Sequence, residues 1–333
     1  MPVTQRPASI TWNICVLAGG IAAAILLGGA AAPVSAQTYP TRAIKLVVGF
    51  LAGGPTDIPA RFIADRLSKQ LGQKVYVENK PGAGGMIALN DVLAQPADGY
   101  SLSFCTYFDA INTLLYKSVS YKLGDIAPVT LVSKYYYLMA LAKSVPVDTF
   151  KQFVSYAKAH PGDMLYGTVG AGSTQELMAH ELEKSAGIRM TKVPFKGANE
   201  ITQEMLAGRV HFQVGPPIAI GPFYQSGKMK VLATTSPQRL SSFPNVPTLT
   251  ELGYPLTPYG WLGVCAKAGM PKSIVDLLNR HIVSIVQSDE YRQFLEKAGN
   301  IPVSDTPEDF TKVIADTVND AAPYIREFHM QIQ

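Results

Sequence analysis

Hydrophobic positions along the chain alternate between short continuous runs and helical stripes. Residues 44–50 form an apolar run broken only by Lys45, the pattern of a strand buried on both faces. After a glycine-rich turn, Ile63, Leu67 and Leu71 recur at helical spacing, and Gly72 supplies a stop. Residues 74–78 predict a second strand with Val75 and Val77 on one face. Residues 86–94 predict a helix, and Asp98-Gly99 turns into a strand over 102–105. This β-α-β-α-β series predicts a parallel sheet with right-handed crossovers.

A second series begins near Pro146. Phe150, Phe153, Val154 and Ala157 share a helix face, and Pro161-Gly162 ends it. Strands are predicted at 165–169, 191–193, 210–214 and 231–234. Helices over 174–186 and 200–207 lie between them, and a short Pro-rich connection precedes the last strand. The C-terminal part differs. Residues 259–266 read as an apolar strand, and helices follow without strong strands between them. Pro271 opens one whose Ile274, Leu278, Ile282 and Ile285 share a face. Thr306-Pro307-Glu308-Asp309 combines an N-cap hydroxyl, Pro at the first helical position and acids in the first turn. That last helix has no sheet in its own neighbourhood and is expected to pack back on the first lobe. The economical topology is two α/β lobes: residues 37–140 with 266–333, and residues 141–265. The chain would cross between them near 138–142 and near 259–266.

The first 36 residues stand apart. Arg6 is their only charge, a small-residue apolar stretch runs over 14–32, and Val34-Ser35-Ala36 fits a secretory cleavage site before Gln37. A membrane anchor is the competing reading, although many Ala and Gly make the stretch weakly hydrophobic for a stable span. Cys15 lacks a lipobox, since Trp12-Asn13-Ile14 precedes it. An exported, periplasm-sized protein is therefore expected. Beyond residue 36 only Cys105 and Cys265 remain, both in apolar strand-like runs. They read as two buried thiols, with a disulfide as the alternative. The net charge of +4 is spread along 333 residues, which argues against a nucleic-acid partner.

Three glycine-rich segments share one layout, each after a strand and before a helix. They are Ala52-Gly53-Gly54-Pro55-Thr56-Asp57, Pro81-Gly82-Ala83-Gly84-Gly85 and Gly170-Ala171-Gly172-Ser173-Thr174. A helix start carries free N–H groups and a partial positive charge, and glycine lets the backbone approach an anion closely. Such loops suit phosphate or carboxylate, although tight βα turns alone also explain glycine there. Neither a Walker loop nor a dinucleotide fingerprint is present, because Ile87 stands where the fingerprint needs its last small residue. Catalytic constellations are poor. The histidines, at 160, 180, 211, 281 and 329, make no metal-ligand spacing. Glu176, Glu181 and Glu183 read as solvated helix residues, Asp57 as an acid stabilising its helix, and Ser173 lacks a nucleophile elbow. Aromatics cluster at Tyr107-Phe108 and Tyr135-Tyr136-Tyr137, with Tyr259 and Trp261 near the return crossing. Core or hinge packing explains them. Tyr107, directly after a strand end, is the best candidate for a cleft wall.

The same residues carry a family likeness. Tyr39-Pro40-Thr41-Arg42-Ala43-Ile44, the phrase over 47–57, and Val77-Glu78-Asn79-Lys80-Pro81-Gly82-Ala83-Gly84-Gly85 resemble the Bug family of periplasmic receptors of tripartite tricarboxylate transporters. The likeness continues through Pro96-Ala97-Asp98-Gly99-Tyr100, Ala127-Pro128-Val129, Pro161-Gly162, Val193-Pro194-Phe195-Lys196-Gly197 and Val246-Pro247-Thr248. It implies a type II periplasmic-binding-protein fold: two α/β lobes joined by two crossover segments, with a ligand cleft between them. It implies no catalysis, no cofactor and no metal, and as ligand a small organic carboxylate, whether a mono-, di- or aromatic carboxylate. By position, Ala52, Gly53, Gly54, Thr56 and Asp57 would form the first-lobe site with Gly82, Ala83, Gly84 and Gly85. Gly170, Ser173, Thr174, Lys196 and Gly197 would form the second-lobe wall. The partners implied are membrane permease subunits, and a monomer is expected. Departures from the family pattern stand at Leu51, Pro55, Phe108-Asp109, Phe195 and His211; they leave the identity of the acid open. Rival readings are a ligand-sensing module for a membrane sensor kinase, or an enzyme on the same fold using Asp57 or His211 as base.

Overall fold

The computed structural model of the protein describes residues 39–170 and 172–331, so the expected signal segment lies outside the described residues. Among the described residues the strands are β1 (Ile44–Val48), β2 (Val75–Asn79), β3 (Ser101–Thr106), β4 (Ile126–Tyr136), β5 (Leu138–Ala142), β6 (Leu165–Thr168), β7 (Thr191–Pro194), β8 (Phe212–Gly215), β9 (Met229–Thr234), β10 (Tyr259–Lys267) and β11 (Ile301–Pro302). The α-helices among them are α1 (Asp57–Leu71), α2 (Met86–Leu93), α3 (Tyr107–Leu115), α4 (Phe150–Ala159), α5 (Thr174–Ala186), α6 (Ala198–Leu206), α7 (Pro217–Gln225), α8 (Lys272–Val286), α9 (Asp289–Lys297) and α10 (Pro307–Glu327). From Pro40 onward they form one unit.

Two sheets organise this unit. The first has the order β2-β1-β3-β10-β4-β11, with β1 parallel to β2 and β3, and β10 antiparallel to β3 and β4. The second has the order β7-β6-β8-β5-β9, with β6 parallel to β7 and β8, and β5 antiparallel to β8 and β9. Each sheet carries a core of its own. Phe153 stacks on Phe212 at 5.0 Å in the second, and Trp261 meets Phe310 edge-on at 5.2 Å in the first. The helix α10 packs on β4 and α3, and Trp261 Nε1 donates to Thr317 Oγ1 at 2.9 Å. The last helix therefore returns to the first lobe.

The crossings differ from the expected placement. Leu138–Ala142, read as a connection, is a fully buried strand of the second sheet, and all of Tyr259–Lys267 belongs to the first. The outgoing chain crosses at Tyr137, and the return lies just before Tyr259. Thr235 ties the two together. Its Oγ1 accepts from Tyr137 N–H at 2.8 Å and donates to the Pro258 carbonyl at 2.8 Å, while its own N–H donates to the Tyr137 carbonyl at 2.9 Å.

Cys105 and Cys265, expected as thiols, form a disulfide with Cα atoms 5.9 Å apart. The cause is the antiparallel pairing of β10 with β3, which sets Gly263 opposite Cys105. A sequence separation of 160 residues hides that juxtaposition from any reading of spacing.

Candidate functional site

The parallel strands of both sheets end on a shared cleft, the place where open α/β sheets bind ligands. A cavity of about 60 Å³ lies there. The first lobe lines it with Phe50, Leu51, Gly54, Pro55 and Thr56 after β1, with Thr106, Tyr107 and Phe108 at the start of α3, and with Tyr135. Tyr137, at the crossing, joins them. The second lobe adds Val169, Gln175, Gly197, Ala198, Asn199 and Pro216. None of these side chains carries a formal charge.

Asp57 faces away from this space. It is 1% exposed and accepts from Gly53 N–H at 2.8 Å, Arg61 Nε at 2.7 Å and Asn79 Nδ2 at 2.8 Å. Burial alone would raise its pKa, but the hydrogen bonds from Arg61, Gly53 and Asn79 hold it below the usual aspartate value. It pins the loop as an ionised acid. Ala52 and Gly53 belong to the pinned turn and do not line the cavity, whereas Gly54 and Thr56 do.

The loop over Gly82, Ala83, Gly84 and Gly85 stands one layer back. It presses against the end of β1 so tightly that a β-carbon on Gly49 would meet Gly85 Cα at 2.7 Å. Asn112 Nδ2 donates to the Gly84 carbonyl at 3.0 Å. Phe50 and Phe108, with ring centroids 5.6 Å apart, border both this loop and the cavity.

Tyr107 lines the cavity, as expected from its position after β3. Tyr135 and Tyr137 join it, 5.3 Å apart edge to face. Burial raises all three phenols, Tyr137 to about 12 and the other two further. All three are therefore hydroxyl donors at neutral pH.

On the second lobe, Gly197 lines the cavity but Lys196 is exposed, and its N–H donates to Glu200 Oε2 at 3.0 Å. Ser173 caps α5, accepting from Glu176 N–H, and its hydroxyl meets Thr168 Oγ1 at 2.7 Å. The Gly170 carbonyl accepts from Ser173 N–H and from Thr168 Oγ1. Thr174 faces a larger recess behind Tyr107, of about 500 Å³, between α5, residues 255–259 and α10. That recess carries Glu181 and Asp320 and no basic side chain, which disfavours an anion there. Glu176, read as solvated, is instead 2% exposed. It accepts from Gly172 N–H at 2.9 Å and pairs with Lys192. His211 Nδ1 accepts from Leu165 N–H at 3.0 Å, so that nitrogen serves the sheet.

The lobes touch on both sides of the cavity. A β-carbon on Gly197 would lie 3.4 Å from Leu51 Cδ1, and Leu115 of α3 fills the space a side chain at Gly172 would need. At the rim, His180 stacks on Phe328 at 5.0 Å and Lys184 pairs with Glu327 at 2.5 Å.

Sequence reasoning missed Gln175, Asn199, Thr106 and Pro216 as lining residues and gave Tyr135 and Tyr137 only a packing role. The Thr106-Tyr107-Phe108-Asp109 capping box was the available signal for α3, which brings Thr106 and Tyr107 to the cavity. Gln175 and Asn199 carry no signal beyond their places at helix starts.

Comparison with known proteins agrees with this geometry. The model of the tripartite tricarboxylate transporter family receptor matches residues 59–330. Protein BugT of Bordetella pertussis is 34% identical over 319 residues, covering 95% of this chain and 98% of that protein. An R. palustris protein solved with adipate is 32% identical, with a TM-score of 0.84 over 86% of this chain and 97% of that one. MatC from Rhodopseudomonas palustris, solved with malate, is 26% identical, with a TM-score of 0.81 over 86% of this chain and all of that one. By the match of the family model over residues 59–330 and by its likeness to BugT, the chain belongs to the tripartite tricarboxylate transporter receptors, the family that includes the Bug proteins, a family of solute receptors and not of enzymes.

Proposed function

We propose that this protein works in the periplasm, where it captures a small organic carboxylate between its lobes and delivers it to the membrane subunits of a tripartite tricarboxylate-type transporter. The observation that carries the reading is the cavity itself: it is enclosed by βα loops of both lobes and furnished with neutral donors. Tyrosine hydroxyls, Gln175, Asn199 and backbone N–H groups at helix starts can hold a carboxylate by charge-assisted hydrogen bonds. Closure of the two lobes excludes water and strengthens each bond. The crossings, tied at Thr235, act as the hinge. Residues 1–36 direct export and are removed, and the receptor acts as a monomer. The solved relatives with adipate and malate support the ligand class.

Calorimetry of the purified protein against a panel of organic acids tests the reading. Saturable binding of at least one acid, returned unchanged, is expected. Binding of sugars or metal ions with no acid bound would overturn it.

A further inference from the structure

We infer that the recess behind Tyr107 is a second ligand site, which takes an organic ammonium ion on a hydrocarbon stem. It lies outside the cleft and does not depend on what the cleft binds.

Two helix faces with one spacing form its walls. On α5 the face carries Thr174, Leu177, Met178 and Glu181, at i, i+3, i+4 and i+7. On α10 it carries Thr317, Asp320, Ala321 and Tyr324 at the same intervals. Leu177 and Ala321 share one apolar cluster, and Pro255, Leu256 and Pro258 close another side. The space of about 500 Å³ falls within the usual range of small-molecule sites, roughly 300–1,000 Å³.

Polar atoms in these walls are left without partners. Thr174 is 4% exposed, and its Oγ1 makes no hydrogen bond. The Tyr107 and Tyr137 hydroxyls stand beside it without the geometry of a bond. Thr317, the matching residue of α10, is satisfied: it accepts from Trp261 Nε1 and donates to the Val313 carbonyl. Glu181 Oε1 is also shut off from solvent with no donor. Leaving such an oxygen unpaired is costly. Burial raises the Glu181 carboxyl above the usual glutamate value, with Lys184 opposing and Glu327 adding to the shift.

The charge pattern selects a cation. Glu181 and Asp320 face the recess, and among the described residues no basic side chain lines it. Lys184 pairs with Glu327, and Lys134 sits 3.8 Å over the Tyr259 ring; neither lines the recess. An ammonium group supplies three donors and a charge to the two carboxylates. The Tyr107 and Tyr324 rings add faces that attract a cation. Leu177, Met178 and Leu256 suit a hydrocarbon stem. Seven residues separate Glu181 from Thr174, about 10 Å along the helix, so a six-carbon stem with a hydroxyl at its far end reaches both.

Calorimetry at constant ionic strength tests the site with a linear aminohexanol, charged at neutral pH, against hexanediol, its uncharged counterpart. Saturable binding of the aminohexanol is expected, with hexanediol weaker by about tenfold or more. Asp320→Asn and Glu181→Gln keep size and remove charge, and each is expected to weaken the aminohexanol about threefold or more. Absence of saturable binding, or hexanediol bound as tightly, would overturn the inference. Unchanged affinity in both variants would place the cation elsewhere and overturn it equally. If Glu181→Gln fails to fold, the exposed Asp320→Asn decides alone. Every one of these outcomes leaves the carboxylate reading of the cleft standing.

Discussion

Asp109 shows what one buried group can do to the whole molecule. It sits at the third position of α3, 6% exposed, and accepts from Thr106 N–H at 2.7 Å. Burial raises its pKa to about 7 despite the hydrogen bonds from Thr106. The folded protein therefore binds this proton more tightly than the unfolded chain, whose aspartate titrates near 4. The stabilising contribution is full below about pH 4 and is lost as pH rises through about 7, a loss on the order of 4 kcal/mol. Asp109→Asn keeps an acceptor for Thr106 and removes the ionisation. Urea unfolding at pH 5 and pH 8 should show the variant gaining stability over the parent at pH 8, by up to that amount, and much less at pH 5. At this scale the sequence placed these acids at helix starts but did not show which way they pointed, and Glu176 read as solvated. Asp57, Asp109 and Glu176 are all acids in the first turn of a helix, and side-chain direction decides that all three turn inward.

Among the elements, the turn before α5 is one place where the lobes meet. Gly172 has φ +72° and packs against Leu115 of α3, so a side chain there is both strained and obstructed. Gly172→Ala should act as a wedge that disfavours the closed form. An overpacking cost of about 1–3 kcal/mol corresponds to a loss of affinity of about 5- to 150-fold. Calorimetry reads the loss, and small-angle scattering should show a larger radius of gyration with ligand present. Most elements were legible from periodicity: β1, α1, β2, α2 and the second-lobe strands lie within a few residues of expectation. The exceptions have physical reasons. Pro216 and Pro217 look like breakers but serve as N-cap and first residue of α7. Pro128 obscures β4, where a register shift in β10 between Val264 and Cys265 lies beside it. The strand β5 is a buried run too short to tell from a connection.

For the molecule as a whole, the disulfide is the contribution that composition did not reveal. It joins neighbouring strands of the first sheet, yet the loop it closes contains the entire second sheet and both crossings. By loop-closure entropy, a 160-residue loop corresponds to stabilisation of about 5 kcal/mol at most. Replacing both cysteines by alanine should lower the urea midpoint accordingly, with the second lobe still able to fold. The same bond divides the chain for any force applied at its ends. Tension travels from the first sheet through the two sulfurs and out again, so the second lobe hangs outside the line of load. Roughly 500 Å of contour stays slack when the protein is pulled, and becomes available only after reduction.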